Sequence, residues 1–67
     1  MNFDETMKYI KESTELSQIS QFDFMLDYES IKMERITGFP HKRYSSFTDE
    51  EIIELNEAVF QKVDELL

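Results

Sequence analysis

Residues 21–37, QFDFMLDYESIKMERIT, decide the fold. Read as a helix, the stretch places Phe22, Met25, Leu26, Met33 and Ile36 on one side and Phe24, Tyr28 and Ile31 on another, with Asp27 and Glu34 looking outward. Read as strands, Phe22, Phe24, Leu26 and Tyr28 alternate with Asp23, Met25 and Asp27 at a period of two. A hairpin turning at Glu29-Ser30 then sets Leu26 opposite Met33 and Asp27 opposite Lys32. Two features favour the helix. Glu-Ser is a poor two-residue hairpin turn, because the preferred types need positive φ or a glycine. The residues that follow, Gly38-Phe39-Pro40, form a helix stop. Gly38 can adopt the left-handed conformation, Phe39 can fold back onto Met33, and Pro40 prevents continuation.

Downstream, residues 40–46 (PHKRYSS) read as a loop within a connection over 38–47, and carry His41, Lys42, Arg43 and Tyr44, the one cationic cluster. The chain's single Gly and single Pro both punctuate this junction. Residues 47–67, FTDEEIIELNEAVFQKVDELL, then spell out a helix over 49–67. Thr48 and Glu51 have the spacing of a capping box, and Phe47 and Ile52 that of a hydrophobic staple. Asp49, Glu50 and Glu51 fill the first turn, where the helix dipole favours anions. Ile52, Leu55, Val59, Val63 and Leu66 form one stripe, edged by Ile53, Phe60 and Leu67. Asn56 falls inside it, either reaching water at the helix edge or fixing the register of a helix pair. From Asp49 onward seven acids stand against Lys62 alone, so six of the eight net negative charges sit on this helix.

Upstream, residues 2–19 read as a first helix, capped by Asn2 with Glu5 as its box partner. Phe3, Met7, Ile10 and Thr14 line one face, while Tyr9, Leu16 and Ile19 lie on roughly the other. Either the helix is touched on two sides, or it ends near Ser13 to Ser17, where Ser and Thr compete for backbone hydrogen bonds. The expected architecture is all-α, a single small three-helix domain over residues 1–67, with an α+β helix–hairpin–helix arrangement as the alternative.

Composition sets the outer limits. Sixty-seven residues make one domain at most, and a chain this short buries only roughly 60% of its unfolded surface. There is no cysteine, so neither disulfides nor a thiolate metal site adds stability. At 40% hydrophobic residues, with six Phe and three Tyr, the chain is too apolar to be simply disordered. No apolar run is long enough for a membrane span, and the N-terminus lacks the basic and apolar blocks of a signal peptide. A soluble, cytoplasmic protein is the expectation.

No motif announces chemistry. A catalytic carboxylate pair needs one raised pKa in a cleft, but the acids here fall mostly on outward faces. His41 is the sole histidine, has no carboxylates at ligand spacing beside it, and reads as a solvated loop residue. There is no phosphate-binding glycine loop and no nucleophile constellation. The expectation is therefore no enzyme, no metal and no cofactor. The basic loop suggests nucleic acid, but nonspecific affinity comes from neutralised phosphates. The acids Asp23, Asp27, Glu29 and Glu34 cancel Lys32, Arg35, Lys42 and Arg43, and the chain's net charge is -8. Direct nucleic-acid binding is disfavoured.

The stretch from Tyr28 through Leu66, IKMERITGFPHKRYSSFTDEEIIELNEAVFQKVDEL with its preceding residues, resembles the N-terminal part of small phage transcription regulators of the ArpU type. Gly38, Phe39, Pro40, the patch from Ser45 to Thr48 and the apolar positions that follow carry the resemblance. It implies a phage or prophage origin, hence a host cytoplasm, and a helical pairing module. The family's DNA-binding helix-turn-helix does not follow Leu67 here, and no site residue carries over.

The functional expectation is a small acidic regulator or inhibitor that binds a protein target with a basic surface. Glu50, Glu54, Glu57 and Asp64 would meet the target, with Ile53 and Phe60 on the apolar edge beside them. The alternatives are a self-associating structural protein and a fragment of a phage transcription regulator.

Overall fold

The computed structural model describes residues 1–67. The chain is all-α: α1 (Phe3–Glu12), α2 (Leu16–Ile19), α3 (Phe24–Thr37) and α4 (Asp49–Leu66), with no strand. The hairpin alternative is thereby excluded, and the middle segment is helical.

The first expected helix divides in two. α1 opens with the Asn2–Glu5 box, in which the Glu5 amide donates to the Asn2 side chain at 2.8 Å. It stops after Glu12, where Ser13 turns extended and its hydroxyl donates to the Tyr9 carbonyl at 2.6 Å. The Gln18 side-chain oxygen then accepts from the amides of Thr14 (2.8 Å) and Glu15 (3.0 Å). These side-chain bonds give the backbone a local alternative to continuing the helix. The break also resolves the two-sided apolar pattern. α1 buries Thr6 and Ile10, and Ser13 at its C-cap is buried as well, while Ile19 reaches the core from α2 after the chain has changed direction. Thr14, expected on the inner face, is exposed.

α3 ends as its sequence requires. Gly38 sits at φ 77°, and its amide donates to the Glu34 carbonyl at 2.9 Å. This is a left-handed C-cap that a residue without Cβ adopts at least cost. Phe39, however, does not fold back into cover: it remains 71% exposed.

α4 begins with the expected box. The Glu51 amide donates to the Thr48 hydroxyl at 3.2 Å, and the Thr48 amide to the Glu51 carboxylate at 2.9 Å. Phe47, just before the cap, lies against the core edge-on to Phe24, with ring centres 6.2 Å apart. α1, α2 and α3 all pack on α4. The shared core is Ile10, Ile19, Phe24, Ile31, Ile52, Leu55 and Val59. Each such side chain, taken from water to the interior, contributes roughly 1.5–3 kcal/mol. Asn56 lies in that core, neither at a wet edge nor on a partner helix, and its amide donates to the Ile52 carbonyl one turn back at 3.0 Å.

Candidate functional site

Two surfaces need a physical account: the connection between α3 and α4, and the outer side of α4.

The connection runs back alongside α3 and is tied to it by two carboxylates. Asp27 is fully buried, not outward as its charge suggested. It accepts the amides of Tyr44 (2.6 Å) and Ser45 (2.9 Å), and the Ser45 hydroxyl as well. Burial alone would raise the Asp27 pKa. The hydrogen bonds from Ser45 and Tyr44, with the nearby Arg43 charge, outweigh it and hold the carboxyl below its ordinary value. Glu34 is likewise not free. It takes a two-pronged ion pair from Arg43, at 3.0 and 2.8 Å, and the His41 amide at 2.7 Å. These bonds lower its pKa to about 2. Arg43 also reaches Asp49 in the first turn of α4 at 3.1 Å, and its own pKa is raised. The guanidinium thus joins the end of α3 to the start of α4, as its planar fork allows.

The basic loop is therefore largely spent on structure. Arg43 is shared by two carboxylates, and His41 lends its amide to Glu34 while its Nδ1 lies 2.9 Å from the Phe39 carbonyl. Lys42 lies over the Tyr44 ring, 5.3 Å from its centre. Of the loop's cations, Lys42 alone is left without a carboxylate partner. One signal for Asp27 was present in the sequence. Phe24, Asp27 and Ile31 follow i, i+3, i+7 spacing, so an acid stood in phase with core residues.

The outer side of α4 behaves differently. Glu50, Glu54, Glu57 and Asp64 are all exposed, and none of their carboxylates takes part in an ion pair within the chain. Phe60 is 50% exposed and stands between Glu57 and Asp64, three and four residues away on the same side of the helix. Its ring meets Tyr28 of α3 edge-on at 5.9 Å, and Lys32 lies 5.1 Å from the Tyr28 ring centre. Ile53, expected on the same apolar edge, is half-buried, and Leu67 beyond it is exposed. The six expected residues lie along one helix, four carboxylates bordering an edge that contains one exposed aromatic.

A further apolar surface lies on α3, whose two-sided pattern was legible in the sequence without showing which side stays open. α3 is apolar on two sides. The core takes Phe24 and Ile31, leaving Leu26 and Ile36 56% and 78% exposed and Met33 partly so.

No three or more His, Cys, Asp or Glu side chains gather where they could hold a metal ion. No helix is long and apolar enough to cross a membrane. Comparison with protein-family models, curated proteins and solved structures finds no match.

Proposed function

We propose that this chain is a small acidic binding module, a regulator or inhibitor that attaches to a basic surface of another protein. The observation that carries the reading is the contrast between its two sets of acids. Asp27 and Glu34 are consumed in holding the connection. Glu50, Glu54, Glu57 and Asp64 have no partner in the chain and are displayed on a capped helix of 18 residues. A rigid row of unpaired carboxylates raises the rate of encounter with a cationic surface and selects against anionic ones. Phe60, in their midst, has the character of an interface anchor, since aromatic side chains dominate binding energy at such sites. A surface of this kind repels bare nucleic acid yet competes with it for a protein. The target class that follows is a basic, nucleic-acid-binding protein surface, and the activity is occupation, not catalysis. A phage origin belongs to this proposal only through the sequence resemblance, and it adds no residue to the site.

Self-association is the second reading. The exposed Phe60 and Leu67 favour it, and the net charge of -8 on each copy opposes it. Affinity capture at low and high salt, with solution mass measured in parallel, separates the two. A salt-sensitive basic partner supports the first reading, and a concentration-dependent dimer the second.

A further inference from the structure

α2, the first turn of α3 and the C-terminal half of α4 do not close on one another. Between them lies an open groove of about 220 Å³, lined by Leu16, Ile19, Met25, Val59 and Val63, with Ser20 as its single polar residue. Leu16 is 43% exposed at its edge. Small-molecule sites run from roughly 300 to 1,000 Å³ and enclose most of their ligand. A smaller, open, nearly all-apolar groove suits a side chain carried by another polypeptide. It does not stand alone. On α4 Val59 immediately precedes Phe60, on α3 Met25 lies one turn before Tyr28, and the rings of Tyr28 and Phe60 meet edge-on at 5.9 Å. Along α3, Met25 leads onto the exposed stripe of Leu26, Met33 and Ile36.

The charges around the groove say what fills it. Glu15, which precedes Leu16, is exposed; Glu29, one turn from Met25, is taken up by Lys32; and Glu57 and Asp64 are exposed farther round α4, beside Phe60. The neighbouring cations are engaged: Lys32 pairs with Glu29 at 3.0 Å and Lys62 with Glu65 at 2.9 Å. A second copy of this chain would bring eight more net negative charges to a rim already acidic. An anionic lipid surface meets the same repulsion.

We propose that the groove is the anchor pocket for a cationic amphipathic helix of a partner protein. One large aliphatic or aromatic side chain of that helix enters between Leu16, Met25 and Val63. The helix lies along the exposed face of α3, and its Lys and Arg residues reach the carboxylates of the rim. This is the helix-in-groove mode of recognition, with apolar anchors at i, i+3, i+4 and i+7. The inference rests on the protein-binding reading above and adds to it where the partner's apolar residues go.

The test uses the full chain and three synthetic helical peptides. One carries leucines at i, i+3, i+4 and i+7 with lysines elsewhere. The second has the same composition in scrambled order, and the third replaces every lysine by glutamate. Methyl and amide NMR titrations follow Leu16, Val59 and Val63 against the amides of Glu50 and Glu54. The expected result is saturable shifts at the groove methyls with the first peptide. Affinity should fall at least 10-fold on scrambling and at least 10-fold in Ser20→Arg, which places a cation in the groove from an exposed position. Three results overturn the proposal. Shifts confined to the α4 amides and equal for ordered and scrambled peptides would leave the acidic-surface reading standing and remove the groove. Equal binding of the acidic peptide would remove the cationic partner. Concentration-dependent shifts of the groove methyls without peptide would give the groove to a second copy.

Discussion

The carboxylate of Asp27, buried in the first turn of α3, accepts the backbone amide of Ser45 at 2.9 Å and the Ser45 hydroxyl as well, across 18 positions of sequence. With the Tyr44 amide it fixes the path of the connection, and through it the place where α4 begins. The acidic face of α4 is oriented by an acid of a different kind, one that never sees solvent. Asp27→Asn keeps one acceptor oxygen and turns an NH₂ toward donors. The expected cost is about 1–3 kcal/mol, the range for leaving a buried polar group unsatisfied. In a domain of this size each kcal/mol lowers Tm by about 4–8 °C. Thermal melting of D27N against the parent measures it, and an unchanged Tm would show that the connection does not depend on this bond.

Acid should loosen the same joint. Asp27 and Glu34 both have folded pKa values below their ordinary ones, 3.8 and 4.5, and Glu34 falls to about 2. The stability they contribute is complete above the ordinary values and is lost as pH falls toward the folded ones. The denaturation midpoint should therefore decline between about pH 4.5 and pH 2. Glu34→Gln should be less stable than the parent at neutral pH and show a shallower decline over that range. Urea titrations at stepped pH provide the check; parallel curves for parent and variant would contradict the assignment.

Gly38 is held at φ 77°, and nothing lies within 4 Å of where its Cβ would stand. A substitution there meets only the backbone penalty. Gly38→Ala is expected to cost about 1–2 kcal/mol, the usual cost of left-handed backbone for an L-residue. Gly38→Asn should cost less, because Asn tolerates that conformation. Equal losses for the two variants would point to something other than φ.

The N-cap of α4 makes a separable contribution. Thr48→Ala removes the acceptor for the Glu51 amide, 3.2 Å away, and should cost about 1 kcal/mol. Thr48→Asp should restore most of it. Chemical denaturation of the pair provides the comparison.

What the sequence made legible was whatever depends on neighbours along the chain. Both capping boxes, the left-handed Gly38 and the apolar stripe of α4 follow from spacings of a few residues, and all are observed. The helical state of the middle segment followed from its stop signal, even though α3 is apolar on two sides. What stayed hidden depends on contacts distant in sequence. The spacing with Phe24 and Ile31 put Asp27 in phase with the core, but nothing local named its partners, Tyr44 and Ser45, 17 and 18 positions away. Likewise Phe39 could fold back onto Met33 by spacing alone, but that side of α3 faces outward. The exposure of Glu50, Glu54, Glu57 and Asp64 was readable because the buried stripe of Ile52, Leu55 and Val59 dictates which way the helix turns. The groove beside α2 was not, because it exists only where α1 breaks at Ser13.

The unpaired acids of α4 are proposed to steer the chain to a basic protein surface. The most direct measurement is the association rate with a basic partner recovered by low-salt capture. It is followed from low to high ionic strength for the parent and for Glu54→Lys/Glu57→Lys. Both residues are exposed and neither carboxylate is in an intrachain ion pair, so the double variant should melt close to the parent. The double variant should associate about 10-fold or more slowly at low salt, and its rate should lose most of its dependence on ionic strength. A reversed protein that keeps the parent's rate and salt dependence would contradict the claim and leave the acidic face a solvated surface.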